Sequence, residues 1–270
     1  MIYKFLLTAL LGVVFSSCLK AQATDAKTPK RAIICLTYDD GLDSHLSTVL
    51  PQLDSLGLKA TFFLNSIRGS SNVVGEVSKE LVGWRTAASH GHELGNHTLF
   101  HPCPATLGFA RAFAIDTYTV AQLVNEITAQ NSVLALIDPA RKNRSFAFPC
   151  NNTRVENKDY SALIHEKGLV KFARAGGDRN SITTDFKNVN TMLVPSWLVE
   201  EGTTLKELIE FAEKARKTDG LAIYQFHGVG AEFFKISTET HRAFLTYLKN
   251  HQDSYRVIPF SDAMEAVIAR

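Results

Sequence analysis

From residue 31 onward the chain alternates short apolar runs with amphipathic segments. Ala32–Tyr38 (AIICLTY) is a continuous apolar run that reads as a buried strand, ended by Asp39-Asp40-Gly41. Over His45–Leu56, Leu46, Val49, Leu50, Leu53 and Leu56 recur at helical spacing, and Gly57 stops the helix. Lys59–Leu64 (KATFFL) reads as a second strand, followed by a helix around Val77–Ser89 and a short strand at Glu93–Asn96. Pro102–Ile115 mixes aromatics and small residues without a period, as a surface insertion does. A helix over Val120–Leu136 and a strand at Ser145–Phe148 come next.

The second half repeats the rhythm. Tyr160–Lys167 suits a helix, Leu169–Ala173 a strand, and Thr191–Trp197 is another apolar segment. Thr203 is predicted to cap a helix over Leu205–Arg216 whose buried face holds Leu208, Ile209 and Phe211. Leu221–Phe226 (LAIYQF) is a strand, Thr240–Asn250 a helix, Arg256–Ile258 a strand and Asp262–Ala269 a helix. Repeated β–α units imply parallel strands with helices outside them. No Gly-rich phosphate loop follows the first strand, so the predicted fold is α/β, a distorted or partly open (β/α) barrel, rather than a doubly wound sheet.

Composition narrows the class without changing the fold. The chain has 270 residues, 45% hydrophobic and 21% charged, which excludes collagen, coiled coil, polytopic membrane protein and intrinsic disorder. Met1–Lys4 is a short positive stretch, and Phe5–Phe15 an apolar run too short to span a bilayer but suited to an export signal. Two exits compete: cleavage after Ala21-Gln22-Ala23, or a loose lipobox that makes Cys18 a lipid anchor. Residues 1–23 are thus read as a signal peptide, or as a lipoprotein signal ending before Cys18, residues 24–30 as a tether, and residues 31–270 as one folded domain. The expected location is outside the cytoplasm, periplasmic, extracellular or membrane-anchored. Without residues 1–23 the chain carries 27 basic and 27 acidic side chains, which gives no electrostatic reason to expect nucleic acid as a partner.

In a β/α barrel the chemistry gathers at the C-terminal ends of the strands. Asp39 and Asp40 stand at one such end, His97 and His101 at another, Pro149 at a third and His227 at a fourth. Two histidines four apart share a face on one helical turn, and a carboxylate from Asp39 or Asp40 would complete a His₂Asp set with an open position, as catalytic zinc requires. His90 and His92 are rival ligands beside a Gly turn. Two neighbouring carboxylates repel unless a cation or donors offset them, so one Asp suits the metal and the other a general base. Gly228 would let a substrate approach the backbone next to His227.

These residues carry a family resemblance. Thr37-Tyr38-Asp39-Asp40-Gly41 resembles the T-F-D-D-G motif of the polysaccharide deacetylases, the NodB-homology domains of carbohydrate esterase family 4. His97-Thr98-Leu99-Phe100-His101 resembles that family's H-[ST]-x-x-H motif, and Ile223–His227 its late strand ending in a catalytic His. The resemblance implies Asp40, His97 and His101 as ligands of Zn²⁺ or a similar divalent ion. It implies Asp39 as general base and His227 as general acid in hydrolysis of acetyl groups from an acetylated poly- or oligosaccharide. The third motif, R-x-P-Y, appears as Ala147-Phe148-Pro149-Cys150, without its Arg and Tyr. The backbone N–H of Cys150 still suits an oxyanion donor. Arg174 either replaces the missing guanidinium or is a surface residue, and Trp197 lines the site or sits in the core. Cys35 reads as a small buried residue. Cys103 and Cys150 each follow one of the motifs, so a bridge between them and two free thiols both stay open. Two rival functions follow from the departures: a glycan-binding barrel without turnover, and a metal-dependent hydrolase of non-sugar C–N bonds.

Overall fold

All eight residues of β1 (Ala32–Asp39) are buried, which is why it reads as one apolar run instead of an alternation. The computed structural model describes residues 31–65 and 77–269; the expected export signal, Cys18 and the expected tether lie outside the described residues. A π-turn over His45–Val49 runs into α1 (Leu50–Leu56), then come β2 (Thr61–Leu64), α2 (Val77–Ser89) and β3 (Glu93–Asn96). After α3 (Val120–Ile137) follow β4 (Ser145–Ala147), a small hairpin of β5 (Arg154–Val155) and β6 (Lys158–Asp159), α4 (Ser161–Glu166) and β7 (Phe172–Ala175). The chain ends through β8 (Val194–Pro195), β9 (Trp197–Leu198), α5 (Leu205–Lys217), β10 (Leu221–Phe226), α6 (Thr238–Asn250), β11 (Tyr255–Val257) and α7 (Phe260–Ile268).

Parallel pairing runs β8-β7-β4-β3-β2-β1-β10-β9, and β11 joins β1 beside its N-terminal half. The two ends of this order, β8 and β9, are separated by Ser196 alone, so one stretch of chain pairs with β7 on one side and β10 on the other. Eight parallel strands thereby form a nearly closed barrel surrounded by helices. The distorted (β/α) barrel predicted above is the fold observed.

Alternation along the strands divides the barrel into two environments. Ile34, Leu36 and Tyr38 of β1, with Ala222, Tyr224 and Phe226 of β10, face outward against the helices. Ile33 and Cys35, Leu221 and Ile223, Phe63 and Phe172 face the lumen, where Phe260, Ala263 and Met264 of α7 pack against them. The same parity carries Asp39, Gln225 and Arg174 inward near the C-terminal ends of their strands. The lumen is therefore apolar towards one end and polar at the other, and the polar end holds the candidate chemistry.

Two local predictions need correction and one element was missed. The strand after α4 is Phe172–Ala175, not Leu169–Ala173: Gly168 ends α4 in the left-handed region, and Leu169 and Val170 pack on the outer side before the chain enters the sheet. Arg174 thus lies inside a strand. The N-cap of α5 is Thr204, not Thr203, because Thr204 and Glu207 form a reciprocal capping box. The β5–β6 hairpin was not predicted; its turn residues Glu156 and Asn157 both take positive φ, a geometry that Asn-Gly more commonly signals.

One buried histidine of the outer layer links this packing to pH. His241 on α6 donates from Nδ1 to Gln52 Oε1 at 2.7 Å and accepts the Tyr38 hydroxyl at Nε2 at 2.7 Å. Burial, with His45 adding to it, pushes its pKa down to about 3. Between that value and about 6.5 the unfolded chain binds a proton at this residue and the folded chain does not. The stability it supports is complete above pH 6.5 and is lost on acidification through that window, by about 1.4 kcal/mol per pH unit. Urea unfolding of His241→Gln between pH 6 and 4 should show a shallower fall than the parent by that slope; parallel profiles would exclude His241 as a source.

Candidate metal and catalytic site

Asp40, His97 and His101 point one donor atom each at a common place. His97 Nε2 lies 3.1 Å from His101 Nε2 and 3.6 Å from Asp40 Oδ1, and His101 Nε2 lies 3.3 Å from the same oxygen. Donors held at about 2.0–2.1 Å in a tetrahedral shell stand about 3.3 Å apart, so the residues present fit a divalent cation with one position left open. His97 donates from Nδ1 to the Ala147 carbonyl at 2.7 Å, which leaves the Nε2 lone pair facing the cation position. Burial, then the neighbouring His101, brings the His97 pKa down to about 4 despite the two Asp carboxylates, so its ring is neutral at neutral pH.

The histidine pair does not sit on a helical turn, contrary to the sequence prediction. Residues 97–101 form a loop in which Thr98 (φ 62°) and His101 (φ 53°) are left-handed. Such backbone costs a non-glycine residue of order 1–2 kcal/mol. Hydrogen bonds hold it: Thr98 N–H donates to Asn96 Oδ1 at 2.8 Å, and His101 N–H to Thr98 Oγ1 at 3.0 Å. Glu126 on α3 accepts the Phe100 N–H at 3.1 Å from behind. The rival histidines are engaged elsewhere, both against Asp54: His90 Nδ1 at 2.6 Å and His92 Nε2 at 3.2 Å.

Asp39 has a different partner. Its Oδ2 accepts a hydrogen bond from Arg174 Nη2 and another from Gln225 Nε2 at 3.0 Å. Arg174 is fully buried; it also donates from Nη1 to Ser196 Oγ at 3.0 Å, and its guanidinium lies over the Phe63 ring at 5.2 Å. Gly95 makes that stacking geometry available, since a Cβ there would meet the Phe63 ring at 2.4 Å. Burial alone would raise the Asp39 carboxyl; the Arg174 charge, with His97 and His227, outweighs it and holds the carboxyl below its ordinary value. Arg174 is thus no surface residue. In the sheet register it pairs with Ala147, the position where the R-x-P-Y motif would carry its Arg. The guanidinium stands one strand over from that position, at the same height in the barrel.

His227 ends β10 with Nε2 3.8 Å from Asp40 Oδ2, and its carbonyl accepts the His45 Nε2–H at 2.9 Å. The rings of Phe233 and Phe234 flank it at 5.6 and 5.3 Å, and both are about half exposed. Gly228 does not open the backbone to substrate: a Cβ there would meet Ala231 O at 2.0 Å, and its N–H closes the loop on Phe233 O at 3.1 Å. Cys150 (φ 50°) is the middle residue of the short 3-10 turn Pro149–Asn151 and is bonded to Cys103 in a disulfide, Cα to Cα 5.7 Å. Both sulfurs being so engaged, the remaining grouping of possible ligands, His101 with Cys103 and Cys150, offers no thiolate. Trp197 packs in the core on Phe211 and Tyr224.

Four supporting residues escaped the sequence reading: Gln225, Ser196, Glu126, and Asn65, whose Nδ2 donates to Asp40 Oδ1 at 3.3 Å. Gln225 carried a signal, a lone polar residue in an apolar strand at the same parity as His227. Glu126 carried another, a carboxylate on the buried stripe of α3.

The class this fold and site define is a parallel β/α barrel with a His₂Asp donor set and a buried Asp–Arg pair at the C-terminal mouth. The polysaccharide deacetylase family model matches residues 26–169, and the chain belongs to that family. A chitin deacetylase from Pestalotiopsis sp is 40% identical over 80 residues, 28% of this chain; the chain spans only 24% of that relative's length. Among solved structures, the Xyl-CE4 domain of a multidomain xylanase from the hindgut metagenome of Trinervitermes trinervoides is 18% identical, with 87% of this chain and 91% of that one covered at a TM-score of 0.54. Peptidoglycan deacetylase PdaC from Bacillus subtilis is 16% identical, with 88% and 92% covered and the same TM-score of 0.54. At these identities the likeness shows the barrel.

The Asp39–Arg174 pair can be tested by itself. Arg174→Met leaves a buried carboxylate without its counter-charge and should destabilise the protein by about 3–5 kcal/mol. Adding Asp39→Asn should return a good part of that loss in urea unfolding, whereas additive losses would mean the two residues are not coupled.

Proposed function

We propose that this protein hydrolyses acetyl groups from an acetylated carbohydrate, with a divalent cation held by Asp40, His97 and His101. The observation that carries the reading is the pairing of two distinct carboxylate environments on adjacent residues, one turned to a His₂ donor set and one held ionised by a buried guanidinium. Family membership supports carbohydrate deacetylation. Zn²⁺ is the proposed ion, because two imidazoles and a carboxylate with an open fourth position are its usual catalytic set.

A cation bound there supplies Lewis-acid polarisation of the acetyl carbonyl and lowers the pKa of water. Asp39 acts as general base, taking the proton of the attacking water; its Oδ1 is buried with no hydrogen-bond partner among the described residues. Arg174 and Gln225 occupy its other oxygen and fix its orientation. The Cys150 N–H, in the first turn of a 3-10 segment where amides lack intrahelical partners, donates to the oxyanion. His227 protonates the departing amine or hydroxyl. Exposed Phe109 beside His101, at 6.3 Å, and Phe233 and Phe234 beside His227 offer apolar faces on two sides of the site, suited to the C–H faces of sugar rings. The glycan-binding alternative rested on the missing Arg; the position of Arg174 weighs against it. Export follows from the N-terminal reading, and a Cys103–Cys150 bridge suits an oxidising compartment.

Acetate release should appear with N-acetylated chito-oligosaccharides, peptidoglycan fragments or O-acetylated xylo-oligosaccharides, and disappear with chelator. Asp39→Asn should retain cation binding and lose activity by about 100-fold or more. A fully active Asp39→Asn protein would reject the assignment, and acetate from small amides alone would favour the non-sugar hydrolase.

A further inference from the structure

We propose that the Cys103–Cys150 disulfide is a positioning element of the site, holding His101 and the Cys150 N–H in mutual register; the catalytic part of this inference rests on the deacetylase reading. Strands β3 and β4 pair at Asn96 and Phe146 and then diverge. Beyond that point, among the described residues, two ties lie nearest the site, with the packing of Ile115 on Phe148 and the Val120 N–H to Glu156 bond farther out. One is the His97 Nδ1–Ala147 carbonyl hydrogen bond, and the other is the disulfide. His101 and the Cys150 N–H lie beyond the first tie; hydrogen bonds shape the His101 loop locally, and the disulfide joins that loop to the Cys150 segment.

The two candidate imidazole ligands are supported unequally. His97 has a carbonyl behind its Nδ1. Among the described residues, the polar contact of His101 Nδ1 is the Cys103 sulfur at 3.5 Å, on the ring edge away from Asp40. Cys103 is fully buried, and its carbonyl accepts the Ile115 N–H at 3.0 Å, so the sulfur is a fixed support. Left-handed residues stand on both sides of the bridge, Thr98 and His101 on one segment and Cys150 and Asn151 on the other. Non-glycine residues keep such conformations only where surrounding structure holds them. Replacing Cys150 by Ser leaves its backbone N–H in place, so a loss of function there reads the tether and not the donor.

The test compares the oxidised protein, the same protein reduced under native conditions, and Cys103→Ser/Cys150→Ser. A phosphine serves as reductant: it becomes a phosphine oxide with an oxygen from water, the S–S bond breaks and two thiols form, and desalting removes both phosphine species. The dissociation constant for Zn²⁺ is read by chelator competition, with kcat and KM for acetate release and circular dichroism as the check on folding. Removing a group that supports a metal ligand typically weakens affinity or activity 10- to 100-fold. The double variant should bind Zn²⁺ about tenfold more weakly, and at saturating Zn²⁺ its kcat should fall about tenfold with KM changed less than about twofold. A lowered melting temperature with unchanged Zn²⁺ affinity and kcat would overturn the proposal and leave the bridge a general staple. Should the double variant fail to fold, Cys103→Ala/Cys150→Ala decides by the same two readouts; the reduced parent reports through kcat alone, because its freed thiols stand beside His101 as further Zn²⁺ ligands. A parent protein that releases no acetate fails the deacetylase reading instead, while the Zn²⁺ arm still reports on His101.

Discussion

Two carboxylates on consecutive residues, both nearly out of solvent, govern this structure. Asp39 and Asp40 are 1% and 6% exposed. Like charges so close and so dry cannot both stay ionised unless each has its own positive or hydrogen-bonding counterpart. The backbone separates them: Asp39 continues the strand alternation into the lumen, and Asp40, at φ 77°, turns away towards the histidine loop. Each then meets a different environment, guanidinium and amide for one, two imidazoles and Asn65 for the other.

The rest of the barrel serves that separation. Gly95 gives the Phe63 ring its space, Phe63 carries the Arg174 guanidinium, and Ser196 receives one arm of it at the seam where β8 and β9 close the sheet. Ser196 also donates to the Ala175 carbonyl at 2.8 Å, so the residue that closes the barrel is part of the network that holds Asp39. The other end of the lumen is apolar and packed against α7. A buried ion pair is expensive to desolvate and adds little net stability over an apolar pair, so its presence here fits a requirement for orientation better than one for stability.

The departure from the R-x-P-Y motif becomes intelligible in these terms. In this chain the positive charge beside Asp39 comes from an inward-facing position on β7. Ala147 and Arg174 are register partners on neighbouring strands, so the guanidinium stands at the height of the motif's Arg position. The Cys that stands in place of the motif's Tyr forms a covalent tie to the loop bearing His101. Both substitutions occur on β4 and its extension, and both are answered by residues far away in sequence.

The succession of strands and helices was legible in the chain because burial imposes a period of two or a continuous apolar run on strands and 3.6 on helices. Asp39, Asp40, His97, His101 and His227 were legible because strand ends are where apolar runs stop and polar residues begin. The position of Arg174 was not, since the boundary of β7 turned on Gly168 and on which side Leu169 and Val170 pack. The loop geometry of the histidine pair was equally hidden: a four-residue spacing is compatible with a helical turn, and only the contacts to Asn96 and Glu126 select the left-handed loop. The chain by itself determined the alternating architecture and the chemical groups at its strand ends, because both follow from local periodicity. Which groups share a charge, and whether Cys103 reaches Cys150, was decided by strand register and barrel closure, which depend on pairings between residues far apart in the sequence.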